Sequence, residues 1–198
     1  GQLQLLRDVE VPLARVLALM EERGFLIDSE GLQDYSESLE NRIKEITAEI
    51  YTLSGEEFNI NSPKQLGQIL FVKLGLPAKK KTKSGFSTNA EVLESLRYDY
   101  PIVDLILQYR QLAKLKSTYC DGLLSARGDD GRIHSTFNQT EARTGRISSL
   151  EPNLQNIPVR TEEGKTLRKF FKAKDGCVLC DADYSQIELR VLASMAAD

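Results

Sequence analysis

Between Leu32 and Ile50 one apolar stripe, Leu32, Tyr35, Leu39, Ile43, Ile46 and Ile50, recurs at helical spacing through an otherwise polar stretch. No other feature restricts the fold as tightly. The spacing predicts a single long amphipathic helix, opened by Asp28 or Ser29 as N-cap and running to about Leu53. A helix of that length needs a partner to cover its stripe. The segment from Ile102 to about Leu124 supplies a matching stripe in Leu105, Ile106, Tyr109, Leu112, Leu115 and Tyr119, which predicts an antiparallel hairpin.

Shorter elements surround that pair. Val9, Leu13, Val16, Leu17 and Met20 predict a helix ended by Gly24. Ser62-Pro63 opens a short helix to about Leu74, a loop follows from Lys79 to Ser87, and Asn89 opens another short helix to about Arg97. The turn Gly128-Asp129-Asp130-Gly131 then changes the pattern to alternation in Ile133, Ser135, Phe137 and Gln139, which reads as strand. After a loop-rich stretch from Ser148 to Lys165, the segments 170–172 and 177–183 flank Lys174-Asp175-Gly176 and predict a β-hairpin. The expected class is α+β: a helical region over 1–128 with its tip at about 58–100, then 129–198 with short antiparallel strands and a helix.

The net charge of −3 hides a segregation. Residues 1–57 carry 13 acids and 5 bases, a net of 5 − 13 = −8. Residues 58–90 carry six lysines and no acid, and residues 132–174 carry nine Lys or Arg against four acids. Two basic segments on an acidic support fit the footprint of a polyanion. Three cysteines, no apolar run of membrane-spanning length and no signal-peptide pattern predict a cytoplasmic protein with no membrane partner. The chain halts within a helical pattern at Asp198, which reads as a piece of a longer protein.

The chemistry is concentrated at Asp181-Ala182-Asp183-Tyr184-Ser185-Gln186-Ile187-Glu188-Leu189-Arg190. Cys177 to Cys180 read as a short buried strand, and in extended chain Asp181 and Asp183 share a face and can point at one metal ion. Ser185 and Glu188 have the spacing of a capping box, so a helix should start there and run through Ile187, Val191, Leu192 and Met195. Its N-terminus would favour a triphosphate held by a divalent cation beside the carboxylates. The alternative for Asp183 alone is a helix cap. Cys177-x-x-Cys180, with Cys120 and His134, is a poor zinc set, because residues i and i+3 of a strand face opposite sides.

The run Asp183 to Arg190 resembles the first palm motif of family A DNA polymerases. Thr144-Gly145-Arg146-Ile147-Ser148-Ser149 and Pro152-Asn153-Leu154-Gln155-Asn156-Ile157-Pro158-Val159-Arg160 resemble the segment leading into it. Leu112 to Tyr119 and Phe58 to Leu66 resemble that family's thumb. The four motifs stand in the family's order.

That resemblance implies a thumb and the first part of a palm, acting on primer-template DNA and dNTP with two Mg²⁺ ions. Asp183 and the peptide carbonyl of Tyr184 would be metal ligands, and Asp181 would not. Glu188 would be the steric gate against a ribonucleotide 2′-hydroxyl, and it can serve as the capping-box acid at the same time. Tyr184, Ser185, Gln186 and Glu188 would line the nucleotide, and Arg190 would be structural. Arg146 would contact the primer terminus, with Asn153, Gln155 and Arg160 beside the duplex, where amides can meet minor-groove acceptors that every base pair presents. The alternative is a turn whose amides satisfy their own backbone.

Lys114, Lys116 and Arg110 would grip duplex backbone, as would Lys80 and Lys81 in the Lys79–Lys83 run, although lysine on a solvated helix face is common. The chain stops before the fingers and the later palm carboxylate, so primer extension by this piece alone is not expected. A half-palm with uncovered apolar faces is expected to self-associate. Two rival readings are a non-catalytic, sequence-independent DNA-holding module and a glycosyltransferase with a metal site at Asp181-x-Asp183.

Overall fold

The computed structural model describes residues 1–78, 81–82, 85–159 and 161–196. Helices α1 (Gln2–Leu5) and α2 (Val11–Arg23) are joined by a π-helical turn, Leu6–Glu10, into one rod with helical dihedrals at both joints. Gly24 ends it at φ 59° and ψ −175°, a backbone open to glycine alone without strain. Of the expected stripe on this rod only Leu17 is buried, while Val9, Val16 and Met20 are exposed.

The long helix forms as its stripe predicts. In α3 (Ser29–Ser54) the Asp28 carboxylate accepts from the Gly31 N–H at 3.2 Å, and Gly55 closes the end in the left-handed region. Leu32, Leu39, Ile46 and Ile50 are buried along one face. They meet a second rod made of α6 (Pro101–Lys114), a π-helical segment Leu115–Asp121, and α7 (Gly122–Ala126). The two run antiparallel, since Ser36 near the start of α3 bonds Asp121 at 2.8 Å, while Asn61 beyond its end bonds Tyr109 at 2.9 Å.

At the far end, α4 (Pro63–Gly67) is capped by the Ser62 hydroxyl and continues as a π-helical stretch, Gln68–Lys73. A small hairpin, β2 (Lys81–Thr82) with β3 (Gly85–Phe86), lies within the expected loop. Asn89 caps α5 (Ala90–Glu94), as its sequence position predicts. Leu66, Leu70, Val92, Leu93 and Leu96 join Ile102, Val103 and Ile106 of α6 in one continuous core.

The antiparallel strands are short. β1 (Phe25–Leu26) pairs with β4 (Arg132–Ile133), and β5 (Thr136–Asn138) pairs with β6 (Ser148–Leu150) in the register Phe137↔Ser149. α8 (Glu162–Arg168) packs back on the hairpin, where the Tyr35 hydroxyl donates to the Glu163 carbonyl at 3.2 Å. Packing is therefore continuous across position 128. The class is α+β, mainly helical with small antiparallel sheets.

Two expectations fail. The hairpin of 170–172 with 177–183 does not form: Asp28 N–H donates to the Phe170 carbonyl at 2.8 Å, Lys172 N–H donates to the Leu26 carbonyl at 3.0 Å, and Phe171 bridges Ile27. This distant partner offers more than the local turn, because Phe25 meets Phe171 edge-on at 5.4 Å and Lys172 pairs with Asp28 at 2.6 Å. Residues 177–183 are left outside any strand, and Cys177 and Cys180 are exposed rather than buried. The last helix, α9 (Ile187–Ala196), begins two residues after Ser185. Gln186 takes φ 55°, its carbonyl accepts from Arg190 N–H at 3.1 Å, and the Ser185–Glu188 capping box is not made among the described residues.

Candidate nucleic-acid interface and metal-binding segment

A groove of about 560 Å³ runs between the second helical rod and the 152–156 loop, lined by Lys114, Thr118, Tyr119, Leu123, Pro152, Asn153 and Asn156. It joins Lys114 and Asn153, two candidates 39 positions apart in the chain. The loop wall is set from beneath. Ser135 and Ser149, both buried, share a 2.6 Å hydroxyl contact, Ser135 donates to the Pro152 carbonyl at 2.8 Å, and Leu154 N–H donates to Ser149 at 3.1 Å. From the helical side the Tyr119 hydroxyl donates to the Asn156 carbonyl. Arg168 donates to the carbonyls of Ile157 at 3.2 Å and Pro158 at 3.3 Å.

The loop's own amides serve its backbone first. Asn153 Oδ1 accepts from Gln155 N–H at 3.0 Å, and Gln155 Nε2 donates to the Ile147 carbonyl at 2.8 Å. These bonds hold the two side chains in fixed places at the surface, and the second Asn153 amide atom stays available to an outside acceptor.

Arg146 follows Gly145, which holds φ 78°, in the neighbouring loop. Its guanidinium lies 3.5 Å from the Glu188 carboxylate on α9, with the two side chains 77% and 75% exposed. A pair that open to water adds little to stability. Its significance is spatial, since the candidate primer contact and the candidate gate stand side by side.

The cations on the hairpin divide. Lys114 faces the groove. Lys116 instead donates to Asp121 at 2.9 Å, with Glu40 at 3.9 Å. The Asp121 hydrogen bond holds the Lys116 ammonium above its ordinary pKa, despite some burial. For Asp121 burial acts upward, but the Lys116 and Ser36 hydrogen bonds outweigh it and the carboxyl lies low. Arg110 directs its fork at the carbonyl and hydroxyl of Thr88, and burial lowers its pKa. Lys116 and Arg110 are thus already engaged within the protein. Lys80 and Arg160 lie outside the described residues, while Lys81 falls on β2.

Asp181, Asp183 and Tyr184 lie in the exposed, strand-free segment before α9, with Ser185 and Gln186 in the turn that opens it. The Asp183 carboxylate and the Tyr184 carbonyl are hard oxygen donors of the kind Mg²⁺ prefers. Among the described residues, however, no three His, Cys, Asp or Glu side chains gather closely enough to hold a metal ion. His134 is held by the Glu21 carbonyl at 2.7 Å and Asp130 at 3.2 Å, and Cys120 is buried far up the hairpin core.

A sequence profile described as DNA polymerase family A matches residues 29–198. This chain belongs to that family. It is 54% identical over 195 residues to DNA polymerase I of Caldicellulosiruptor bescii and 52% identical over 200 residues to DNA polymerase I of Bacillus subtilis, covering 98% and 100% of this chain. The chain spans 23% of the length of each of those relatives. Among solved structures it is similar to the POL domain of Pol1 from M. smegmatis, in complex with DNA primer-template and dNTP. The TM-score is 0.89 at 43% identity, over 99% of this chain and 35% of that one.

Within this family A chain, the sequence reading placed Thr118 on the thumb surface and Asn156 in the 152–160 motif without giving either a separate role, and it missed the Ser135–Ser149 contact. Thr118 stands one turn beyond Lys114, so helical spacing marks its face. Asn156 sits inside the Pro152–Pro158 motif. Ser135 carried no signal, because its partners lie 14 to 17 residues away in the chain.

Proposed function

We propose that this chain is the thumb, residues 1–128, and the first part of the palm, from 129 onward, of a DNA-directed DNA polymerase. The whole enzyme transfers a nucleotide from a dNTP to a primer 3′-hydroxyl under a template's direction. One observation carries the reading: the fold agrees at a TM-score of 0.89, over 99% of the chain, with a POL domain bound to primer-template and dNTP.

Each residue then has a task. Lys114 meets a backbone phosphate from the groove wall, a contact that is blind to sequence and weakened by salt. Asn153 and Gln155, fixed by their own loop, present amides to minor-groove acceptors. Arg146 reaches the primer terminus, a role supported by its exposed pairing with Glu188, the proposed gate beside the nucleotide. Glu188 bars a 2′-hydroxyl, while Ser185 and Gln186 offer backbone beside the triphosphate. Lys116 and Arg110 support the grip from within rather than by direct contact, given their bonds to Asp121 and Thr88. Lys80, Lys81 and Arg160 are proposed as further phosphate contacts on charge alone, Lys80 and Arg160 lying outside the described residues.

Mg²⁺ supplies the family's charge neutralisation when bound. Asp183 and the Tyr184 carbonyl are this chain's contribution to its coordination, and a carboxylate from outside the described residues completes the set. The isolated chain consequently binds but does not extend primers; Mg²⁺-dependent extension that Asp183→Ala abolishes would overturn this.

The decisive test of the grip is anisotropy of a labelled primer-template across a salt series, with Lys114→Ala and Arg146→Ala. Affinity that drops with salt, is equal for unrelated duplexes and weakens in both variants supports the reading. Absence of binding at low salt refutes it. Self-association belongs to the same proposal, since α9 exposes Leu189, Val191, Leu192 and Met195. A compact monomer in sedimentation at high concentration would refute that part.

A further inference from the structure

We propose that Tyr119 is a positioning residue for the duplex grip, latching the helical hairpin to the 152–158 loop and so setting the spacing of Lys114 and Asn153 across the groove. The inference rests on the DNA-gripping reading above. Tyr119 lies in the π-helical segment Leu115–Asp121, with only 7% of its surface exposed, and its ring packs into the hairpin core. Its hydroxyl emerges at the groove floor and donates to the Asn156 carbonyl. Among the described residues this is the one side-chain hydrogen bond from the 101–126 rod to residues 152–158.

Three features make the bond a spacer rather than an ordinary core contact. The ring is rigid and anchored, so its hydroxyl has little freedom to follow a moving partner. The loop is tied at Leu154 to Ser149, at Ile157 to Arg168 and internally from Gln155 to Asn153, so Asn153 and Asn156 keep a fixed relation to each other. Lys114 sits a little over one turn before Tyr119 on the same rod, while Asn153 sits three residues before Asn156 on the loop. A change in the Tyr119–Asn156 distance thus becomes a change in the distance between the two walls that face the duplex. A preformed spacing lowers the ordering cost of binding. π-helical turns recur at functional sites, and this one places Tyr119 toward the loop.

The test uses Tyr119→Phe, which keeps the packed ring and removes only the donor. Primer-template affinity is read by anisotropy for wild type, Tyr119→Phe, Lys114→Ala and the double variant. The expected result is binding about five- to tenfold weaker in Tyr119→Phe. Lys114→Ala is expected to cost less in the Tyr119→Phe background than in wild type, a coupling that a role in stability alone does not produce. Amide exchange at Leu154 and Gln155 in the free chain should also speed up.

Wild-type affinity in Tyr119→Phe, or purely multiplicative effects of the two substitutions, overturns the positioning role while leaving the proposed function standing. Unchanged amide exchange overturns it as well. A wild-type chain that does not bind overturns both.

Discussion

Ile106 is wholly buried at the midpoint of α6, about two turns before Lys114. Ile106→Ala removes three carbons from that seam. At about 0.8 kcal/mol per buried methylene the transfer loss is roughly 2.4 kcal/mol. The cavity left in a helix pair closed by α3 brings the expected cost to about 3–4 kcal/mol. Ile106→Val removes one carbon and should cost about 1 kcal/mol. Val72→Ala, at a position 59% exposed, should stay within about 0.5 kcal/mol. Urea titration followed by far-ultraviolet circular dichroism measures all three, and thermal scans should place Ile106→Ala roughly 10 °C below wild type. If Ile106→Ala and Val72→Ala prove indistinguishable, the α3–α6 seam is not what holds the hairpin.

Gly24→Ala should destabilise by about 1–3 kcal/mol. At φ 59° an added Cβ would stand 2.8 Å from the His134 ring and the Ile133 carbonyl; wild-type stability in the same urea titration would show that the α2–β1 turn relaxes freely. The His134 pKa is raised first by the hydrogen bond to the Glu21 carbonyl and then by Asp130, against some burial. A raised imidazole pKa stabilises fully below the unfolded value of about 6.5 and ceases to do so as pH climbs through the folded value. The stability difference between wild type and His134→Gln should therefore shrink as pH rises above about 6.5 and through the raised folded value, and a difference that grows with pH would reverse the sign. Burial pushes the Cys120 thiol up to about 11, whereas Cys177 and Cys180 are exposed. A thiol reagent should modify two cysteines promptly and the third only on unfolding; three equal rates would contradict the buried assignment.

How much of the fold was legible depended on the range of the contacts involved. The stripe from Leu32 to Ile50, the Asp28 and Asn89 caps and Gly24 all act within a turn or two of their own position, so spacing alone located α3, α5 and the end of α2. The Lys174-Asp175-Gly176 turn signal was equally local, yet Phe171 pairs with Ile27 instead. A ring contact with Phe25 and an ion pair with Asp28, both more than a hundred residues away, outweighed it.

The same division holds for the candidate site. The motif from Asp183 to Arg190 and the lysine at the end of α6 could be read residue by residue, and the family is legible in them. That Lys116 answers Asp121, that Arg110 answers Thr88, and that Lys114 faces Asn153 across a groove closed by Tyr119 are matters of distance between elements. Helical periodicity specifies which face a side chain shares, because the backbone repeats every few residues. It carries no measure of which acid or carbonyl a distant loop will bring to that face, and only the tertiary packing assigned each cation its partner.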